Sequence, residues 1–181
     1  MLAKLSLVFA AMWLATVPSQ AATLTVTVLG LRSDAGELLV GVYDSTPGFK
    51  SAVADSAKKS ALLPEKWRVA GASLRAQAGA QSITFRQLPP GRYAIIVFHD
   101  ENDNGLLDEN AMGVPLEGYG FSNDAQGFLS APSFAAAAIT LPNATDHIDT
   151  SISLIYPRVP SSADKEEFEE FMGTSQAPNR E

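Results

Sequence analysis

The sequence of 181 residues contains no cysteine, which excludes disulfide bonds and cysteine-based metal sites. It contains only two histidines, His99 and His147, and two histidines without cysteine make a catalytic zinc site improbable. Basic residues are outnumbered by acidic ones, 13 to 20, and the formal net charge is -7. Such an acidic surface disfavours nucleic acid and anionic lipid as partners and is compatible with divalent cations.

Long apolar runs are also scarce, because only residues 5–17 form one. This run is shorter than the ~20 residues that span a bilayer as a helix. It follows Lys4 and precedes the small residues Ser19 and Ala21, the pattern of a secretory signal peptide cut after Ala21. We therefore expect a signal peptide at residues 1–21, a periplasmic or secreted location, and no membrane span after cleavage.

The remainder of the chain is predicted to be one domain, residues 22–157, followed by an acidic tail, residues 158–181, that is partly helical or disordered. Apolar and polar residues alternate along the domain, which is typical of half-buried strands. The predicted strands are residues 23–28, 38–43, 82–86, 93–98, 137–141 and 148–156, with 67–74 as a weaker candidate. Residues 93–98 are apolar on both faces, so this strand is expected to be central. About seven short strands between Gly and Pro turns predict an all-β antiparallel sandwich, with a short helical insertion within residues 49–65.

Directly after the central strand, residues 99–110 read His-Asp-Glu-Asn-Asp-Asn-Gly-Leu-Leu-Asp-Glu-Asn. Oxygen-bearing side chains at alternate positions before one glycine are the spacing by which a short loop wraps a hard cation. We call residues 100–110 the acidic loop. Its predicted calcium ligands are the side chains of four residues and one backbone carbonyl: Asp100, Asn102, Asn104, Asp108 and, through its carbonyl, Leu106. Asn110 and Glu117 are candidates to complete the coordination.

The acidic loop departs from a full EF-hand loop at its twelfth position, where Ala111 replaces the bidentate glutamate. This departure predicts weak binding, in the range of roughly 0.1 to 1 mM that is common in extracellular modules. Five carboxylates crowd residues 100–109 and would repel one another without a counter-charge. The alternative is a solvated connection that is rich in turn-forming Asn, Asp and Gly.

Two further features have a structural and a functional interpretation. His99 is either a half-buried side chain hydrogen-bonded to a loop carboxylate, or a metal ligand or catalytic base. Tyr119 and Phe121 stand among glycines in the segment Gly-Tyr-Gly-Phe-Ser-Asn, residues 118–123. They either cap the end of the sandwich or form a partner surface for a sugar ring or a peptide.

Several motifs together resemble a family of exported bacterial proteins known only as a domain of unknown function. The motifs are Leu-Pro-Pro-Gly-x-Tyr-Ala at 88–94, His-Asp-x-Asn-x-Asn-Gly at 99–105 and Gly-Tyr-Gly-Phe-Ser-Asn at 118–123. The resemblance covers residues 24–156 and implies no activity. The turn into residue 93 is also similar to that of prealbumin-like sandwiches, which occur as accessory domains beside carboxypeptidases and in adhesins, so the expected sandwich is of the prealbumin-like kind.

No catalytic residues are predicted, because the acidic loop is too small and wet to separate two carboxyl pKa values. Ser122 and Ser133 also lack the Gly-x-Ser-x-Gly context of a nucleophile. We therefore expect a secreted, non-catalytic module whose calcium-binding loop orders a surface for a carbohydrate or protein partner. The alternatives are a metal-independent carbohydrate- or peptide-binding module and, third, a hydrolase.

Overall fold

The computed structural model describes residues 22–58, 68–128, 130–143 and 147–157. Its elements in chain order are β1 (Ala22–Leu31), β2 (Glu37–Tyr43), α1 (Thr46–Asp55), β3 (Ala70–Arg75), β4 (Gly79–Leu88), β5 (Gly91–Asp100), β6 (Gly118–Phe121), α2 (Phe134–Ala137), β7 (Ile139–Leu141) and β8 (His147–Ser153). The expected signal peptide (1–21) and acidic tail (158–181) lie outside the described residues. Within the described ranges, no helix is long and apolar enough to cross a membrane.

The strands form two sheets, which confirms the predicted all-β sandwich. One sheet has the order β4-β1-β8, and the other has the order β3-β2-β5-β6, with β7 pairing with the first residues of β5. Most pairs are antiparallel, but β1 and β8 are parallel. This one pair departs from the predicted antiparallel arrangement. The preceding strand, β7, belongs to the other sheet, so the chain crosses between sheets before β8 instead of returning through a hairpin.

The main core lies between the two sheets. Alternate residues of β1, β2 and β5 point into it, and each of them is at most 4% exposed: Leu24, Val26, Val28, Leu38, Val40, Val42, Tyr93, Ile95 and Val97. The period-2 pattern of the sequence produces this arrangement, because successive strand side chains point to opposite faces. His99 follows Val97 on the same face and lies at the end of this core with no exposed surface.

The opposite face of the five-stranded sheet is also covered, which explains why β5 is apolar on both faces. Ala94 and Ile96 of β5 pack with Phe49 of α1 and Phe134 of α2. Phe98, one step further along β5, packs with Leu107 of the acidic loop. The central position predicted for residues 93–98 is confirmed, because β5 has neighbours on both sides and cover on both faces.

The helical insertion begins earlier than predicted, at Thr46, with proline in its first turn, where the missing backbone N–H is not needed. Residues 59–67 of the predicted insertion lie outside the described residues. Ala137 was predicted to start a strand, but it ends the single turn α2, whose N-cap Ser133 accepts a hydrogen bond from the backbone N–H of Ala136.

Candidate functional site

The acidic loop begins on the helix-covered face of β5 and leads towards β6. Asp100, the last residue of β5, is only 2% exposed, and its carboxylate points into the loop. One oxygen accepts the backbone N–H of Asn104 at 3.1 Å and the other accepts that of Gly105 at 2.6 Å. Gly105 has φ +75°, the conformation that its predicted sharp turn requires. Asp100 therefore holds the turn of the loop in place.

Three of the four predicted side-chain ligands converge on one another across this turn. The side-chain amides of Asn102 and Asn104 donate to the two carboxylate oxygens of Asp108, at 2.7 and 3.0 Å. The side-chain oxygens of the same asparagines accept the backbone N–H groups of Asn104 and Leu106. Each oxygen of Asp100, Asn102 and Asn104 has a second lone pair, so this geometry leaves acceptor capacity for an ion.

Calcium binding by the acidic loop stays a prediction. Among the described residues, no group of three or more His, Cys, Asp or Glu side chains is placed to hold a metal. The acidic loop instead combines the carboxylates of Asp100 and Asp108 with two amides, a donor set of hard oxygens that suits calcium. A bound ion would displace the two amide N–H groups that face Asp108.

Asn110 does not complete this set. Its side-chain oxygen accepts the backbone N–H groups of Met112 and Val114, at 2.9 and 3.0 Å, and so organises the next turn of the chain. Glu117 has the larger role, because one carboxylate oxygen accepts the N–H of Glu101 and the other accepts the N–H of Asp108, at 2.8 and 3.1 Å. The two ends of the acidic loop are thus clamped by one side chain, which is 5% exposed.

Burial and charge shift two glutamates of this site in opposite directions. Desolvation raises the pKa of Glu117 above its ordinary value, and the nearby Asp108 and Asp100 carboxylates add to the rise against the two backbone hydrogen bonds. In contrast, the hydrogen bond from Arg32 lowers the pKa of Glu101, which also accepts a hydrogen bond from Ser33. A cation beside Glu117 would favour the ionised carboxylate and oppose the effect of burial.

We expect the Glu117 carboxyl to titrate above the ordinary 4.5 and the Glu101 carboxyl to titrate below it. The stability that Glu117 contributes is then fully present below pH 4.5 and is lost as pH rises through its native pKa. The contribution of Glu101 is present above pH 4.5 and is lost as pH falls through its native pKa. Carboxyl titration by NMR checks both directions, and a Glu117 midpoint at or below 4.5 would contradict the assignment.

His99 is fully buried, and both of its ring nitrogens are engaged. Nε2 lies 2.7 Å from the carbonyl oxygen of Ala35, so Nε2 must carry the proton and donate. Nδ1 then accepts from the hydroxyl of Tyr156 at 2.7 Å, while that hydroxyl accepts the backbone N–H of Arg32. The carboxylate partner predicted for His99 is wrong, because neither of these partners is acidic. Neither ring nitrogen of His99 is free to bind a metal or a substrate.

Tyr119 and Phe121 lie on β6, a strand that the sequence pattern did not predict. Phe121 is 8% exposed and packs against Phe49. Tyr119 is half-buried and packs beside Leu39, Phe98 and Leu107. Both aromatic residues line a cleft of about 590 Å³ between the helix-covered face of the sheet, the acidic loop and residues 125–127 and 130–132.

A family model described as an uncharacterized protein conserved in bacteria matches residues 26–149. The chain belongs to this family, DUF2141. The matched residues include the acidic loop, the clamp Glu117 and both aromatic residues of β6. No curated protein and no solved structure matches the chain, so the likeness to prealbumin-like sandwiches stays a prediction.

In this DUF2141 protein, the spacing of the acidic loop predicted which side chains converge, but it missed how the loop is closed. Glu117 lies 16 residues from Glu101, and only the fold brings the two together. The cleft has no sequence signal either, since its lining comes from β5, β6, α1 and two loops. The one sequence feature that pointed to Glu117 was the presence of a carboxylate in an otherwise apolar stretch.

Proposed function

We propose that this protein is an exported, non-catalytic β-sandwich module whose acidic loop binds calcium and thereby fixes a wall of the adjacent partner-binding cleft. The observation that carries the proposal is the convergence of Asn102 and Asn104 on Asp108, beside the buried Asp100. The carboxylates of Asp108 and Asp100 lie close enough to raise the pKa of Glu117, and a divalent cation would offset this repulsion. Export is proposed from the signal-peptide pattern of residues 1–21.

The loop is connected to the cleft through its second half. The backbone of Leu107 donates to Ser56 at the end of α1 at 2.8 Å, and Leu116 donates to the carbonyl of Asp108 at 2.7 Å. Glu109 and Pro115 form a β-bridge between these two contacts. Leu107, Glu109 and residues 112–115 all line the cleft, so an ion that orders Asp108 also orders this wall.

The absence of a catalytic role is part of the proposal. Its support is that Ser122 and His99 are already engaged in the fold. Ser122 is fully buried and donates its hydroxyl to the carbonyl of Ala137, and His99 uses both ring nitrogens. A general base must reach the proton that it abstracts and a nucleophile must reach its substrate, and these two fully buried side chains have no such access. The second candidate function is a metal-independent binding module. The cleft supports it, because the cleft offers a binding surface formed by protein side chains alone.

We predict that Asp108→Asn removes most of the stabilisation by calcium. At roughly ten times its dissociation constant, an ion bound only by the native state adds about 1–2 kcal/mol, or about 3–6 °C in melting temperature. In chelator the substitution is expected to cost less than about 1 kcal/mol, because Asp108 is only half-buried there and loses one weak acceptor. Thermal denaturation with calcium and with chelator measures both values.

Asp103→Asn is the matched control, because Asp103 lies in the same loop but points outward to Arg75, at 3.2 Å. It removes the same charge, and we expect the calcium response to be nearly unchanged. An equal calcium response in Asp108→Asn and the wild type would contradict the proposed site. Asp100→Ala is less informative, since Asp100 also holds two backbone N–H groups and should destabilise the fold in chelator too.

A further inference from the structure

The cleft beside the acidic loop continues into a second, smaller groove. The larger part has a volume of about 590 Å³ and the smaller part about 260 Å³. Phe121, Ala125, Gln126 and Ile155 line both, so the two parts adjoin along β6, and we call them together the channel. The larger part alone falls in the range of about 300–1,000 Å³ that is typical of small-molecule sites.

The walls of this channel are mainly apolar. Phe98, Tyr119 and Phe121 supply aromatic rings, and Leu107 and Ile96 supply aliphatic surface. The polar side chains of the larger part are limited to Glu109, Tyr119, Gln126, Ser130 and Ser56, and the Ser56 hydroxyl already donates to the carbonyl of Val53. A carbohydrate needs many hydrogen-bond partners, because each hydroxyl left unpaired on burial is unfavourable. The lining therefore favours an apolar ligand over a glycan.

The mouth of the channel exposes apolar side chains to solvent. Met112 is 82% exposed and Val114 is 37% exposed, and both line the larger part. Phe128, which is 91% exposed, follows the lining residue Gly127 in the sequence. Large exposed apolar residues gathered at the opening of a cleft are typical of a binding site.

The charged groups of the channel are of one sign. Among the described lining residues, only Glu109 and Asp124 carry charge, and Glu109 is exposed at the rim of the larger part. The chain as a whole carries a formal charge of -7. This field disfavours a fatty acid or any other anionic amphiphile and attracts a cation. The aromatic rings add to the attraction, because a cation is stabilised over their faces.

We propose that the channel binds an elongated apolar molecule that bears one cationic group, with the apolar chain among Phe98, Leu107 and Phe121 and the cation at Glu109. The inference rests on the proposed function only in that the acidic loop forms one wall of the channel. The recognition chemistry belongs to the lining residues and does not involve the ion. Ligand binding and calcium binding can therefore be tested separately.

The test is calorimetric titration of the purified protein with three probes that share a decyl chain: decyltrimethylammonium, decyl maltoside and decanoate, each below its micelle concentration. We expect the ammonium probe to bind about fivefold more tightly than the uncharged maltoside, which corresponds to one charge pair near the surface. Decanoate is expected to bind most weakly. Lengthening the ammonium probe from octyl to decyl should tighten binding about fourfold per methylene.

Two variants locate the site. Glu109→Gln should remove the preference for the ammonium probe over the maltoside, and Asp44→Asn, an exposed carboxylate outside the channel, should retain it. Met112→Ser should weaken all three probes by about tenfold, because Met112 offers apolar surface at the mouth. Because Met112 is 82% exposed, its substitution should not disturb folding. A loss of probe affinity in Met112→Ser would therefore not be explained by misfolding.

Equal affinity for all three head groups, an unchanged preference in Glu109→Gln, or binding of free maltose in place of the decyl probes would each overturn the proposal. Each titration is repeated with calcium and with chelator. Probe binding without any calcium uptake would support the channel and refute the ion site. Calcium uptake without probe binding would refute the channel and leave the ion site standing.

Discussion

Gly36→Ala is expected to lower the free energy of unfolding by about 3–5 kcal/mol, which combines overpacking with a left-handed backbone. Gly36 has φ +68°, and a side chain there would overlap the carbonyl group of Asp100 and the Cα of Glu101. Neither of these groups can move aside, because both are backbone atoms at the start of the acidic loop. The close approach of Gly36 to Asp100 also positions the carbonyl of the preceding residue, Ala35, to accept a hydrogen bond from His99.

Gly79→Ala is the matched control for this variant. Gly79 has φ +97°, but a side chain there would meet nothing within 4 Å. Its substitution should therefore cost only the backbone strain, about 1–2 kcal/mol. Urea denaturation of both variants separates strain from steric overlap. Equal losses in the two variants would show that the approach of Gly36 to Asp100 does not limit the fold.

Ser122→Ala is expected to destabilise the fold by roughly 2–4 kcal/mol, because two buried backbone groups lose their partner at once. The Ser122 hydroxyl is fully buried, accepts the N–H of Ile95 at 2.8 Å and donates to the carbonyl of Ala137 at 2.5 Å. It thus joins β5, the turn after β6 and α2. Replacement by alanine leaves both groups unsatisfied and admits no compensating contact.

Ser133→Ala is the comparison for this serine, since Ser133 caps α2 at the protein surface. Loss of an exposed cap is expected to cost about 1 kcal/mol. Guanidinium denaturation should show the larger shift for Ser122→Ala. If Ser122→Ala is no more destabilising than Ser133→Ala, the buried hydroxyl does not hold the two segments together.

The sandwich was predictable because strand periodicity is a local signal. The alternation in β1 and the doubly apolar character of β5 are both visible in the sequence and correspond to observed burial. The strand β6 was not predictable, because two of its four residues are glycine. A side chain at Gly118 would overlap Tyr156, and one at Gly120 would meet Ile152 and the backbone of Ser153. Residues distant in the sequence therefore require glycine at both positions. The two glycines remove the alternation of side chains by which a strand is recognised in a sequence.

Part of the candidate site was likewise predictable from the sequence, and part was not. Asp100, Asn102, Asn104 and Asp108 lie within one loop, so their spacing alone indicated that they would converge. Glu117 could not be assigned as a clamp, because its partners are determined by the path of the chain from β5 to β6. Asn110 was expected near the ion, but local turn formation at Met112 and Val114 uses its oxygen instead.

The most direct measurement is calorimetric titration of calcium, magnesium and zinc into the purified protein after chelator treatment. The account predicts that calcium binds at one site per chain, with a dissociation constant of roughly 0.1 to 1 mM. Magnesium is expected to bind more weakly, because it demands stricter geometry, and zinc should show no preference for this oxygen set. No calcium uptake, together with identical melting curves in calcium and chelator, would contradict the account and leave the acidic loop as a hydrogen-bonded turn.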